Sequence, residues 1–283
     1  MFRSFDPIAR IRLLRFAAAA ALLGSIALLG GCATSSGSSS PVLDAVLERG
    51  TLRVGMAGDT PPLNAINRNG KLMGLEVELA RDLGKAMGVE AIPVRLPFGD
   101  LLPAIENGEV DIVLSNITMT TERNTRVAFA GPYVVSGKAV LTKSTELAAA
   151  DDPEDLDRPA IRLAVLRGST SEQLLREVAD EAQVVPVEAP TDGVRMVVDG
   201  EVQGMIADLP IVVLAVLRNP DAGLIGIGSP LTYEPIGVAL PAGDALFENL
   251  VRNRLNLLEQ TGALEMLRIR WFDHADWLSE LAD

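Results

Sequence analysis

One cysteine and one histidine in 283 residues leave no material for a disulfide framework, a multi-cysteine zinc site or a histidine metal cluster. Basic residues are outnumbered, 25 Lys and Arg against 38 Asp and Glu, for a formal net charge of −13. Such a chain is a poor general partner for nucleic acid, which binds basic faces. HExxH, CxxC and GxSxG are absent, so the common zinc-protease, thiol-redox and serine-hydrolase signatures are missing. Aromatic residues make up only 4%. Past residue 41 there is no apolar run of the length that spans a bilayer. What remains, 48% hydrophobic and 22% charged positions, is the composition of a globular protein long enough for two domains.

The N-terminus reads as an address. Arg3, Arg10, Arg12 and Arg15 precede an apolar run from Phe16 to Leu29, shorter than the roughly 20 residues a membrane-spanning helix needs. A basic segment followed by a short apolar one predicts a secretory signal over residues 1–31. Leu29-Gly30-Gly31-Cys32 resembles the lipobox of bacterial lipoproteins, which implies that Cys32 carries the lipid anchor and begins the mature chain. The Gly/Ser tract from Ser35 to Ser40 predicts a flexible tether over 32–41.

From there strands and helices alternate. Thr51–Met56 reads as a buried strand. Leu75, Leu79, Leu83 and Met87 recur every four residues and predict an amphipathic helix closed near Gly88, with Glu76, Glu78, Arg81 and Asp82 between the apolar positions. Ala91–Leu96 and Val110–Leu114 read as strands, with a short helix to Asn107 capped by Asp100 between them. The second half repeats this order: strands at Ile161–Leu166, Gln183–Val187 and Val202–Ala207, a helix opening after Gly168, and another over Asp192–Val198. Helices over Phe247–Leu258, capped by Asp244, and over Ala263–Phe272 close the chain and are expected to pack on the first half. The pattern predicts an α/β fold with parallel sheets. One stretch is repeated directly. Asn107-Gly-Glu-Val and Asp199-Gly-Glu-Val each lead into a strand that ends on a polar residue, Asn116 and Asp208. Equivalent strand ends in two lobes would face each other across a cleft, where open α/β sheets bind ligands. Gly131-Pro-Tyr-Val-Val-Ser-Gly137-Lys138 fails as a phosphate loop, having five residues between its glycines and Ala139 where a Ser or Thr is needed. His274 reads as a surface or packing residue.

Leu52-Arg-Val-Gly, Pro61-Pro62, Asn69-Gly-Lys-Leu-Met-Gly-Leu-Glu-Val-Glu-Leu-Ala80, Asn107-Gly-Glu-Val-Asp-Ile and Thr118-Met-Thr-Thr-Glu-Arg123 together resemble the periplasmic amino-acid-binding proteins of ABC importers, family 3 of the bacterial extracellular solute-binding proteins. The resemblance runs over about residues 42–273. It implies two α/β lobes, 42–134 plus 236–283 and 135–235, each a mostly parallel sheet flanked by helices. Two hinge strands, near Val134–Lys138 and Thr232–Val238, would join them. It implies extracytoplasmic capture of an amino acid or similar small zwitterion and delivery to an ABC permease, with no cofactor, metal or catalysis.

Carried onto this chain, the family's carboxylate-binding arginine falls on Arg123, whose planar fork suits a carboxylate. Thr118, Ser115 and Asn116 fall where donors meet the ligand, and Ser169-Thr170 on a turn whose amides open a helix toward the carboxylate. Asp208 matches the aspartate that holds the ammonium, and Phe98 a wall of the side-chain pocket. Thr120 and Thr121 read as caps of the helix carrying Arg123. An acid often found at the position of Ala57, and aromatics at Thr60, Leu63 and Ala65, are missing here; Asp59 is a nearby acid. With the cleft open, Arg123 and Asp208 are expected to be hydrated and dispensable for stability. Two other readings stand beside this one. Some cyclohexadienyl dehydratases, which act on prephenate or arogenate, share the fold and a segment like Gly58-Asp59-Thr60-Pro61-Pro62. A ligand-sensing module for a signalling partner is the other.

Overall fold

In a computed structural model, residues 40–150, 152–226 and 230–282 are described. The expected signal peptide, Cys32 and most of the tether lie outside the described residues. Ser40 and Pro41 do not belong to a tether. Ser40 is buried and its hydroxyl donates to Asp244, and Pro41 opens the helix Pro41–Arg49. Asp244 also accepts from the amides of Val42 (2.9 Å) and Phe247 (3.0 Å), so one carboxylate caps this helix and Ala245–Gln260 together.

In chain order the strands are β1 (Thr51–Met56), β2 (Asp59–Thr60), β3 (Asn64–Ile66), β4 (Leu72–Met73), β5 (Glu90–Arg95), β6 (Ile112–Val113), β7 (Val127–Ser136), β8 (Lys138–Thr142), β9 (Arg162–Leu166), β10 (Gln183–Val187), β11 (Gly204–Asp208) and β12 (Glu234–Pro241). They form a five-stranded sheet β5-β1-β6-β12-β7, a four-stranded sheet β10-β9-β11-β8 and a small meander β2-β3-β4. Both large sheets are mixed. β5-β1-β6 and β10-β9-β11 run parallel, because helices carry the chain back between those strands; β7, β8 and β12 pair antiparallel where the chain passes from one sheet to the other. Only Gly137 separates β7 from β8, and a Cβ there would fall 2.5 Å from the carbonyl oxygen of Thr232 and against Pro230. Glycine is what lets the two connections run side by side.

The periodic helix is Leu75–Met87, closed by Gly88 in the left-handed region with its amide on the last carbonyls. Leu75, Leu79 and Leu83 are fully buried in one core with Leu52, Val54, Phe247, Val251 and Leu255. Each such leucine contributes about 2 kcal/mol by leaving water. The C-terminal helices thus share the core of the β1 sheet. Ala263–Arg268 is shorter than the sequence predicts and gives way to a π-helical turn over Ile269–Asp273. Asp100 precedes the helix Leu101–Glu106 but makes no capping bond, since a 3-10 turn over Phe98–Asp100 already opens it. The segment Gly131–Lys138 is strand except at Gly137 and forms no loop between its glycines, which removes any phosphate-binding geometry. Among the described residues no helix is long and apolar enough to cross a membrane.

Candidate functional site

The repeated Gly-Glu-Val segments lead to two polar residues that meet across the gap between the sheets, but only Asp208 ends a strand. Three residues past β6, Asn116 adopts φ +54°, the one positive φ outside glycine among the described residues. Asparagine tolerates this region better than most side chains. Its amide donates to Glu76 Oε1 at 2.6 Å. Glu76 also accepts from Tyr133 Oη and from Asn64 Nδ2, and it is completely buried. Burial pushes its carboxyl pKa up, against the opposing pull of those three donors. The sequence reading left Glu76 among the polar positions. The missed signal was spacing, since Leu79 and Leu83 lie three and seven residues on and put it on the apolar stripe.

Asp208 ends β11. Antiparallel register sets it opposite Lys138 of β8, and Lys138 Nζ lies 2.6 Å from Asp208 Oδ1. The lysine side chain is 2% exposed. Asp208 Oδ2 accepts from Asn116 Nδ2 at 2.5 Å, across the gap between the sheets. Glu234, at the start of β12, stands 3.6 Å from Lys138 Nζ and accepts from the hydroxyls of Thr170 (3.1 Å) and Thr232 (2.8 Å). Burial pushes the Glu234 carboxyl up, but Lys138 and the threonine hydroxyls outweigh it and hold the pKa below the ordinary value. Sequence reasoning missed both Lys138 and Glu234. A lone lysine heading the apolar run Ala139-Val140-Leu141 was the available signal for the first. The pairing corrects the expectation that Asp208 is hydrated, because Asp208 is buried as the nearer counter-charge of a buried cation.

Arg123 begins a 3-10 turn, Arg123–Thr125, rather than a helix, and Thr120 alone caps it, its Oγ1 accepting from the Arg123 amide at 3.1 Å. The guanidinium is half-buried. Nη1 donates to the Thr118 carbonyl (2.9 Å) and Nη2 to the Gly168 carbonyl on the opposite side (3.1 Å). Burial draws its pKa down against Glu234, Asp208 and Glu122, and it stays cationic. Ser169 caps the helix Thr170–Val178, accepting from the Glu172 amide at 3.2 Å. Thr118 and Thr170 bring their hydroxyls within 3.4 Å.

One cavity is lined from both sides. Phe98, Asn116, Thr118 and Arg123 come from the β1 sheet side, Lys138, Ser169, Thr170 and Asp208 from the other. The cavity measures about 20 Å³, room for about one water. In this arrangement the cavity has no room for anything larger than a water. Asn116 Oδ1 is buried without a hydrogen-bond partner among the described residues.

Three residues expected at the site lie elsewhere. Ser115 is fully buried and its Oγ accepts from the Ala57 amide at 2.9 Å, tying β6 to β1 behind the cavity wall. Thr60 is buried and donates to Asp59 Oδ1 at 3.1 Å. Asp59 is turned by the β2–β3 pairing into a separate cavity of about 400 Å³, shared with Thr191 and Arg218. Burial raises its pKa, against Thr60 and Arg95. Among the described residues no cluster of three His, Cys, Asp or Glu could hold a metal.

Against known proteins, the sequence profile of the bacterial extracellular solute-binding proteins, family 3, matches residues 52–274. The L-cystine-binding protein of Escherichia coli K12 is 28% identical over 89% of this chain and 94% of that protein. A cyclohexadienyl dehydratase of Pseudomonas aeruginosa is 26% identical over 89% of this chain and 93% of the enzyme. Among solved structures, an ancestral amino acid-binding protein, a precursor of cyclohexadienyl dehydratase, superposes with a TM-score of 0.73 at 32% identity, covering 81% of this chain and 99% of that one.

Proposed function

Because the chain belongs to family 3 of the bacterial extracellular solute-binding proteins, we propose that it captures an amino acid or similar small zwitterion outside the cytoplasm. Two lobes, 42–134 plus 236–283 and 135–235, close on the ligand, and the closed complex delivers it to an ABC permease while Cys32 holds the protein to a membrane. The reading is carried by one observation: a cationic fork, Arg123, and an acid, Asp208, line a single cavity fed by both sheets, with Glu234 at 3.6 Å from the lysine that pairs with Asp208.

In the proposed mechanism the ligand carboxylate displaces the Thr118 and Gly168 carbonyls from the guanidinium of Arg123. It then also meets the amides that open the helix Thr170–Val178. The ammonium is received by Asp208 and by the unpartnered Asn116 Oδ1. Phe98 walls the side chain. Closure is favoured by the contacts the ligand makes with both sides at once. A thermal-shift screen against the twenty amino acids and L-cystine, followed by calorimetry, tests this: at least one raises the melting temperature, and Arg123→Ala abolishes the shift. No response to any of them sinks the proposal.

The dehydratase reading has Asp59 in its favour, a carboxyl whose pKa burial raises, in a sequence segment like the enzyme's. In the closed arrangement that acid lines a different cavity from Arg123, which supports the binding reading over the enzyme. Incubation with prephenate and with arogenate, followed for phenylpyruvate and phenylalanine, decides between the two; turnover in either favours the enzyme.

A further inference from the structure

Three charged side chains line the cavity, Arg123, Lys138 and Asp208, and a fourth, Glu234, stands 3.6 Å from the lysine. Among the described residues Arg123 donates its guanidinium to the two carbonyls and to no carboxylate, which leaves it able to take one from a ligand. The other three form a unit of one cation and two anions. Lys138 is not supplied from solution or from the other lobe. It is fixed by cross-strand register, is buried along its whole length, and sits at 2.6 Å from Asp208. The unit therefore carries one net negative charge, and one ligand ammonium neutralises it. With the ligand carboxylate on Arg123, every charge at the cavity has a partner. A further charge on the ligand would have none, and an unpaired charge in a closed cavity is expelled or weakens binding steeply.

On the footing of the proposed amino-acid site, we infer that the cleft selects a ligand with no net charge beyond its α-carboxylate and α-ammonium, and that Lys138 sets this preference. Lys138 occupies the place a second ligand cation would otherwise take between Asp208 and Glu234. L-cystine, whose far half is itself a balanced zwitterion, falls inside this class, whereas lysine, arginine, glutamate and aspartate fall outside it.

The experiment is calorimetry of the purified protein with the twenty amino acids and L-cystine, repeated on Lys138→Gln and Lys138→Arg. The folded fraction of each variant is checked by its ligand-free melting curve. The wild type is expected to bind its best neutral ligand at least about tenfold tighter than lysine, arginine, glutamate or aspartate. Lys138→Gln, leaving two carboxylates for one ammonium, is expected to move the neutral-to-cationic ratio toward lysine and arginine by about tenfold or more. Lys138→Arg keeps the charge and the wild-type order. A wild type that binds a charged amino acid as tightly as any neutral one overturns the inference and leaves the amino-acid site standing. So does an unchanged ratio in Lys138→Gln. If Lys138→Gln does not fold, the wild-type order and Lys138→Arg decide alone. A wild type that binds none of the panel overturns site and inference together.

Discussion

Asn116 and Asp208 follow the same local sequence, a glycine turn and a Glu-Val pair running into a strand, yet the protein stabilises them by opposite means. Asn116 is neutral, and what needs support is its backbone, bent to φ +54°. The support comes from behind, through the amide bond to Glu76, an acid surrounded by uncharged donors. Asp208 has ordinary extended backbone, and what needs support is its charge. That support comes from beside it, through Lys138. One end of the cleft is therefore set by shape and the other by electrostatics, and substitutions should separate them.

The largest effect is expected from Glu76→Ala. It strands the Asn64 amide nitrogen, the Asn116 amide and the Tyr133 hydroxyl in a site without solvent. At about 1–3 kcal/mol for each unsatisfied donor, a loss on the order of 4 kcal/mol follows. Urea denaturation of the ligand-free protein measures it. A loss under about 1 kcal/mol would mean that the shape of the Asn116 end does not depend on this acid. Asp208→Ala comes next. It removes the 2.6 Å partner of a lysine that is 2% exposed and leaves only Glu234 at 3.6 Å. Breaking a buried pair from one side costs about 3–5 kcal/mol, and the residual partner argues for the lower end. Unchanged stability would show that Lys138 reaches solvent and that the balance described for this end is wrong.

Much of this was legible in the chain. The period of Leu75, Leu79 and Leu83, the cap at Asp244 and the turn at Gly88 each follow from local chemistry, and all three hold. The repeated Gly-Glu-Val segment located Asn116 and Asp208, though only Asp208 ends a strand, and seven of the ten expected site residues line the cavity. Those that do not, Asp59, Thr60 and Ser115, sit beside the strand ends in sequence, but a short pairing or a backbone bond turns them away, and neither has a local signature. Lys138 and Glu234 were invisible for another reason. Their meaning comes from register between β8 and β11 and from the start of β12, pairings of segments some 70 to 100 residues apart that no local window contains.

A smaller effect separates backbone from side chain at the shaped end. Asn116→Ala removes the carboxamide and forces a Cβ-bearing residue without a compensating side chain into the left-handed region, at about 1–2 kcal/mol. Asn116→Gly removes the same carboxamide but accepts the backbone at no steric cost. Both should lose at least about tenfold in ligand affinity, and only the alanine variant should lose stability. Equal stability in the two would mean that the strain at Asn116 is carried elsewhere.

The smallest effect is a difference in slope with pH, and it sets the two ends against each other most directly. The Glu76 carboxyl is raised from its ordinary value near 4.5 by burial, so the native state holds that proton more tightly than the unfolded chain does. The stability linked to its protonated form is fully present below about 4.5 and is lost as pH rises through the raised value. The Glu234 carboxyl is lowered from the same ordinary value, because Lys138 and three threonine hydroxyls outweigh its burial. Its contribution is fully present above about 4.5 and is lost as pH falls through the lowered value. Urea denaturation of the ligand-free wild type, Glu76→Gln and Glu234→Gln across the acid range to neutrality should give two diverging comparisons. Relative to Glu76→Gln, the wild type should lose stability as pH climbs above 4.5; relative to Glu234→Gln, it should lose stability as pH drops below 4.5. Parallel curves for wild type and Glu76→Gln would show that the three donors fully offset the burial of that acid, and the contrast between a cation-free end and a lysine-balanced end would then fail on its own terms.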